Sequence, residues 1–475
     1  MNLPASLVDV DRLSPVPLFR QIYDRTRGAI AAGRLRPGDR LPSARSLAAQ
    51  LGAARGTIEA AYAMLAGEGW IVARGAAGTV VAPQLDANSA AASRPADWLP
   101  QAAPSTAADH APRPFRMGLP ALDAFPRKLW ARLVAREARG LHGGGLSYPD
   151  PAGDAGLREA IAAYLAISRG ISCAPSQIFV TAGYQGALGL IARTLLAPGA
   201  AVHVEDPCYH LTARGLKAVG VDLLPVPVDA DGMQTDRIVS GRSAARLAIV
   251  TPAHQSPLGV ALSLPRRLAL LAWAEAAGAA IVEDDYDGEF HYAGRPLPAL
   301  KSLDRGDVVL YVGSFSKVLF PGLRLGYLVA PARLVPLFAA AAPLFTAGCG
   351  RLDQIVVARF MAEGHFARHL KRMRGLYGAR RTALATALAD AFGERLQITL
   401  QPGGMHLLAR PAARVSDTDL VALAEQRGLA PSALSQHALA AGCGPGLLLS
   451  FTNIPEDRAA AAAQALFEAI GPCLG

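Results

Sequence analysis

The run Gly313-Ser314-Phe315-Ser316-Lys317-Val318-Leu319-Phe320-Pro321-Gly322-Leu323-Arg324-Leu325-Gly326-Tyr327 follows the apolar segment Val308–Val312, which has the composition of a buried parallel strand. Ser314, Ser316 and Lys317 therefore leave a strand at its carboxyl end, where open α/β sheets hold their ligands. Arg324, seven residues past the lysine, can return a guanidinium to the same place. Hydroxyls, an ammonium and a fixed cation in one loop suit a phosphate dianion. An isolated Ser-x-Ser-Lys is usually a solvated loop, so its surroundings decide the reading. Of the five lysines, Lys128, Lys217, Lys301, Lys317 and Lys371, only Lys317 has such neighbours.

Upstream, apolar strands are expected at Ile178–Thr181, Ala201–Glu205, Leu247–Thr251 and Ala279–Glu283, alternating with helical stretches, a rhythm that implies a largely parallel sheet. Glu283-Asp284-Asp285-Tyr286 closes one of these strands, so carboxylates and a phenol project from the same carboxyl edge as Lys317. Thr181-Ala182-Gly183-Tyr184-Gln185 offers a strand-to-helix turn whose N–H groups and dipole can hold phosphate, although it also reads as an ordinary tight turn. This is the set that pyridoxal phosphate requires: a lysine amine, a carboxylate to keep the pyridine nitrogen protonated, a phenol for the ring oxygen and a phosphate cup. Beyond about Pro331, Ala- and Leu-rich helices and a mixed strand-helix tail with strands at Met405–Ala409 and Leu447–Phe451 predict a smaller α+β subdomain, about 332–475.

The amino-terminal segment reads differently. Leu18, Ile22, Thr26 and Ile30 recur every four residues within Pro17–Ala32, an amphipathic helix with Arg20, Arg25 and Arg27 off the apolar line. A second helix is expected from a Ser43 cap to Leu51, ended by Gly52. A third runs from Arg55 to Leu65, burying Ile58, Ala61, Tyr62 and Leu65, with Gly67 as its stop. Trp70–Ala73 and Thr79–Val81, around Gly75-Ala76-Ala77-Gly78, complete a winged helix-turn-helix. In such a unit Arg55 and Thr57 open the helix that enters the major groove, while Arg45 and Arg74 are placed for the backbone, with Arg36 and Arg40 flanking the first turn. Residues 1–82 hold ten Arg, no Lys and six acidic residues, a net +4 out of +9 for the whole chain. Residues 83–114, rich in Ala, Pro, Ser and Asp, read as a flexible tether between this domain and one covering 115–475.

The stretch RLRPGDRLPSARSLAAQLGAARGTIEAAYAMLAGEGWI resembles the GntR superfamily of regulators in order and spacing across residues 15–82. Ala54 replaces the usual capping Ser or Thr and Gly56 weakens the first turn, so this helix is expected to firm up on DNA. The carboxyl-terminal motifs resemble fold-type I pyridoxal-phosphate enzymes, and the two together resemble the MocR subfamily of GntR regulators. That resemblance implies a Schiff base on Lys317, Asp284 facing the pyridine nitrogen and Tyr286 the phenolic oxygen. Ser314, Ser316, Arg324 and the Tyr184–Gln185 turn would hold phosphate. Tyr209 would stack on the ring, and His254 or Gln255, within Thr251–Gly259, would touch it. Tyr148 matches a position that reaches the partner subunit's phosphate in related dimers, so a homodimer is implied. The implied function is a transcription regulator that binds double-stranded operator DNA and senses pyridoxal phosphate or an amine; the alternative is a working aminotransferase that carries a DNA-binding domain.

One residue is missing from the enzyme pattern. Transaminases place an Arg three residues ahead of an aromatic on a late strand to clamp a substrate carboxylate, and here Leu448 stands there, ahead of Phe451. Arg351, Arg410 or Arg414 would have to substitute. The composition, 51% hydrophobic and 18% charged, is that of a folded chain, and every apolar stretch is broken before it could span a bilayer. The first residues do not read as a secretory signal, so a cytoplasmic protein without membrane attachment is expected. The five scattered cysteines form no metal knuckle or redox pair and are expected as free thiols.

Overall fold

The computed structural model describes residues 10–75, 78–83, 111–241, 244–293, 298–346, 349–440 and 442–475. The chain divides into two compact units, Met1–Asp109 and His110–Gly475. Most of the expected tether, residues 84–110, lies outside the described residues. Its last residues already belong to the second unit: Asn453 Nδ2 donates to the Arg113 carbonyl at 2.7 Å, and Ala430 N to that of Pro114 at 2.9 Å.

In the first unit, α1 (Leu18–Ala31), α2 (Ala44–Leu51) and α3 (Arg55–Gly67) pack Ile22, Tyr23, Leu47, Ile58, Ala61 and Leu65 into one core. Ser43 caps α2 by accepting from Ser46 N at 3.1 Å, and Gly52 ends it at φ 57°. Arg12 then donates to the Leu51 and Gly52 carbonyls, two of the groups that a helix end leaves open. Two expectations for α3 are corrected. Gly67 is its last helical residue rather than its stop, the left-handed turn falling at Gly69. Tyr62 is only half-buried, because its hydroxyl reaches out to the Pro42 carbonyl at 3.0 Å. Strands β1 (Ile71–Ala73) and β2 (Thr79–Val81) pair antiparallel as the wing, and Arg40 bridges Val80, adding one more rung. The centre of the wing turn, Ala76 and Ala77, lies outside the described residues.

The second unit is built on an eight-stranded sheet in the order β3-β10-β9-β8-β7-β4-β5-β6. Its strands are β3 (Ile178–Thr181), β4 (Ala201–Asp206), β5 (Asp222–Asp229), β6 (Gly232–Met233), β7 (Leu247–Val250), β8 (Ala280–Asp285), β9 (Val309–Ser314) and β10 (Gly326–Val329). From β5 to β9 the central strands run parallel, and their apolar side chains are buried on both sheet faces. β10 is antiparallel to both β3 and β9, and the edge strand β6 is antiparallel to β5, so the largely parallel sheet has two reversed strands, of which β10 lies beside β9. A second, four-stranded antiparallel sheet, β11 (Leu396–Thr399), β12 (His406–Pro411), β14 (Leu447–Ser450) and β13 (Ser432–Ala433), packs with the 28-residue helix His365–Phe392. Phe115, fully buried and bridged to Ser450, ties the start of the unit to this sheet. No helix of the described residues is long and apolar enough to cross a membrane.

Candidate functional site

β3, β4, β7, β8 and β9 end along one edge, and a cavity of about 260 Å³ lies against it, lined by Tyr184, Gln185, Tyr209, Asp284, Tyr286, Ser314, Ser316, Lys317 and Arg324. The pleat explains which carboxylate of Glu283-Asp284-Asp285 faces it. Side chains alternate along β8, so Asp284 and Tyr286 share the cavity side while Glu283 and Asp285 turn away. The two that turn away are satisfied within the protein. Glu283 accepts from Leu300 N and Lys301 N, and Asp285 from Tyr311 Oη at 2.6 Å and from the buried Arg169. Asp284 has no hydrogen bond among the described residues, and burial, with Asp285 and Asp287 adding repulsion, pushes its carboxyl well above the usual range. Lys317 opposes that shift only in part, so a further cation would stabilise this buried carboxylate, and a protonated pyridine nitrogen is one.

Lys317 sits on the short helix Phe315–Val318 after β9, its Nζ donating to the Gly118 carbonyl at 3.0 Å. Burial lowers its pKa, opposed by Asp284 and Asp287, which leaves the amine readier to react than a surface lysine. A Cβ on Gly118 would meet Nζ where it now sits, and the left-handed φ of 79° there is one that residues with a side chain rarely adopt. The phosphate end is equally specific. The helix Gly183–Leu195 opens toward the cavity without a side-chain cap, and the buried Gln185 Nε2 has no partner among the described residues. Arg324 takes the left-handed conformation at φ 49°, unusual for a residue with a side chain, and its guanidinium lies 3.3 Å from the Ala182 carbonyl. Free amide N–H groups, two hydroxyls and a guanidinium around one corner fit a phosphate dianion, so this donor set fits pyridoxal phosphate.

Gly326 holds this corner together. Its built Cβ would stand 2.9 Å from both the Gly183 Cα and the Gly313 carbonyl, all backbone. Gly326→Ala is therefore expected to push the phosphate turn outward, destabilising the fold by about 1–3 kcal/mol and weakening cofactor binding. Thermal melting and cofactor titration of the variant check this; wild-type values in both would refute the close approach.

The other expected residues divide. Tyr209 lines the cavity, its ring 6.2 Å from that of Tyr184, whose hydroxyl is 2.8 Å from Thr212 Oγ1. His254 and Gln255 do not line it. His254 stands behind Tyr286, with Nδ1 2.9 Å from its hydroxyl and 3.0 Å from Asp287. Gln255 is turned into the fold, donating to Glu205 and to the Pro207 carbonyl. Ser256, the next residue, faces the cavity instead. The chain crosses this loop through a cis Ser256–Pro257 peptide, a local geometry that composition does not announce. Tyr148 is 98% exposed and away from the cavity of its own chain. Sequence reasoning also missed Gly118, Met117, His406 and His437. A glycine just after a tether-like stretch and two isolated histidines carry no periodic signal.

Leu448 lies in β14, fully buried with Leu408 and Leu434 and packed on by Met117, Leu258 and Cys443. Arg410 is committed to the Cys443 and Pro445 carbonyls and Arg351 to that of Gly144, while Arg414 is exposed. None of the three lines the cavity. In the first unit Arg45, Arg55 and Arg74 are exposed and Thr57 is half-exposed; Arg55 Nε pairs with Glu59 at 2.7 Å, and Ala54 gives α3 no side-chain cap.

A winged-helix unit joined to a fold-type I pyridoxal-phosphate domain defines a class: DNA-binding regulators whose second half is built like an aminotransferase. The family comparisons agree at both ends. Residues 18–81 match the gntR family of bacterial regulatory proteins, and residues 123–452 match aminotransferase class I and II. The chain is 36% identical to the probable rhizopine catabolism regulatory protein MocR of Rhizobium meliloti, covering 94% of this chain and 92% of that one. It is 33% identical to the pyridoxine biosynthesis regulator PdxR of Corynebacterium glutamicum, covering 93% and 94%. Among solved structures, LysN, an α-aminoadipate aminotransferase of Thermus thermophilus, is similar at 29% identity with a TM-score of 0.69 over 76% of this chain and 92% of that one. The chain belongs to the MocR-type regulators of the GntR family, transcription regulators that use pyridoxal phosphate.

Proposed function

We propose that this regulator acts as a homodimer in the cytoplasm, with pyridoxal phosphate on Lys317, and that an effector in the cofactor cavity changes how the winged helices hold an operator. Bound pyridoxal phosphate supplies an aldehyde that captures amines. Lys317 would hold that aldehyde carbon and Asp284 would keep the pyridine nitrogen protonated. Tyr286, steadied by His254, would bond the ring oxygen; Ser314, Ser316, Arg324 and the Tyr184–Gln185 turn would bind the phosphate, and Tyr209 would stack on the ring. The fully exposed Tyr148 is in keeping with a side chain that completes a partner's site. On DNA, Arg55 and Thr57 would reach base edges, with Arg45 and Arg74 on the backbone.

The observation that carries the effector reading is Leu448: the carboxylate-clamp position is sealed into an apolar cluster, and none of Arg351, Arg410 and Arg414 replaces it. A charge-assisted bidentate contact missing there removes on the order of 2–4 kcal/mol of amino-acid binding. The effector is therefore pyridoxal phosphate itself, sensed through occupancy, or an amine without the usual carboxylate. PdxR, named for pyridoxine biosynthesis, favours the first. The test titrates the loaded protein with common α- and ω-amino acids while following visible absorbance, and compares operator binding with and without cofactor. Slow or absent spectral change and cofactor-dependent operator affinity are expected. Rapid conversion at millimolar amino acid, with operator affinity indifferent to loading, would establish the aminotransferase alternative.

A further inference from the structure

Two histidines that line the cavity away from its phosphate corner, His406 and His437, have their tautomers set by the backbone. His406 Nε2 lies 2.9 Å from the Pro257 carbonyl and His437 Nδ1 3.1 Å from the Cys208 carbonyl. A carbonyl only accepts, so each ring nitrogen at these contacts must carry the proton and donate. The other nitrogen of each neutral ring, Nδ1 of His406 and Nε2 of His437, is then a lone-pair acceptor with no hydrogen bond from the described residues. His254 Nε2 is buried without a partner and its residue does not line the cavity, whereas His406 and His437 both do. Burial, reinforced by His254 beside His406 and by His210 beside His437, pushes the rings down to about 3 and about 4, so both stay uncharged at neutral pH. Met117, Met405 and Leu211 add apolar surface to the cavity wall, and His210 and Ser432 add polar groups.

We propose that this wall selects an amine bearing a hydroxyl group and no carboxylate, with His406 and His437 as the specificity-determining acceptors. A hydroxyl donates to a ring nitrogen at small desolvation cost, whereas a carboxylate would meet two lone pairs and apolar surface, with the Ser432 hydroxyl and the uncharged His210 ring as neighbouring polar groups and no cation beyond Lys317 and Arg324, which the cofactor takes. The proposal rests on the reading that an amine effector enters the cofactor cavity, and it names that amine's class.

Three probes of matched chain length separate the chemistry: 4-amino-1-butanol, n-butylamine and 4-aminobutanoate, titrated by calorimetry into the cofactor-loaded full chain. The hydroxyl compound is expected to bind about tenfold more tightly than n-butylamine, the worth of one hydrogen bond, and 4-aminobutanoate more weakly than both. In His437→Phe the ratio of affinities between the hydroxyl compound and n-butylamine should fall toward one, and His437→Gln, which can still donate and accept, should recover the preference. If His437→Phe fails to fold, the wild-type series decides. The proposal is overturned if 4-aminobutanoate binds as well as 4-amino-1-butanol, if the hydroxyl gains nothing over the methyl, or if none of the three binds a fully loaded protein. Failure of pyridoxal phosphate to load at all would instead refute the underlying reading of the cavity.

Discussion

Lys317→Ala is expected to abolish covalent cofactor attachment altogether. Wild-type protein incubated with pyridoxal phosphate and reduced with borohydride should retain one cofactor per chain on the peptide containing Lys317, and the variant none. The other four lysines lack the surroundings. Lys301, the remaining buried one, is spent on Asp304 and Asp307 and its neighbourhood holds no phosphate cup. The fold should survive, because the side chain contributes one hydrogen bond, to Gly118, worth about 1.5–3 kcal/mol at most. The phosphate corner is untouched in the variant, so free cofactor should still bind reversibly and be removed by dialysis. A reducible chromophore of wild-type intensity in Lys317→Ala would show that another amine carries the aldehyde. Operator binding separates two uses of the pocket: if occupancy alone is sensed, saturating free cofactor should restore the wild-type response, and if the covalent link is sensed it should not.

The large-scale architecture was legible because two periodicities are strong here. The four-residue spacing of Leu18, Ile22, Thr26 and Ile30 and the short β-branched runs at 178, 247 and 308 each belong to a segment with one buried environment along its length. That Lys317, Ser314 and Asp284 share one sheet edge was legible for the same reason, since each lies at or just past the end of such a run. The reversed strand β10 gave no warning: Gly326–Val329 is as buried and apolar as the parallel strands of the sheet, and direction leaves no mark on composition. Ser256 displaced His254 and Gln255 from the cavity because the Thr251–Gly259 loop has no period to count. His406 and His437 come from the small sheet and the Leu434–His437 turn, more than 85 residues from Lys317, so only the fold brings them to the site. Leu448 was the reverse case, a difference visible in the sequence whose buried apolar surroundings, Leu408 and Leu434, only the fold shows.

Arg55→Ala should weaken operator binding more than any other single change in the first unit while leaving that unit no less stable. Arg55 is the first residue of α3, where the helix dipole is positive and an arginine costs about 0.3–1 kcal/mol. Its pairing with Glu59 recovers little of this, since both side chains are at least half exposed. A cation held at that end finds its natural partner in an anion placed before the helix, which for a groove-reading helix means a base acceptor or a phosphate. Removing it forfeits about 1–3 kcal/mol of binding, a loss of roughly fivefold to 150-fold, and leaves the Glu59 carboxylate facing DNA without its counter-charge. Arg45→Ala should behave differently: without its cation on a phosphate, affinity for every sequence falls alike and the slope of log affinity against log salt drops by about 0.9. The measurement is fluorescence anisotropy with the full-length protein across a salt series, on a duplex selected by the wild type and on one of random sequence. Arg55→Ala should narrow the gap between the two duplexes, and Arg45→Ala should leave the gap and flatten both lines. Unchanged affinity and slope in both variants would move the DNA interface away from α2 and α3.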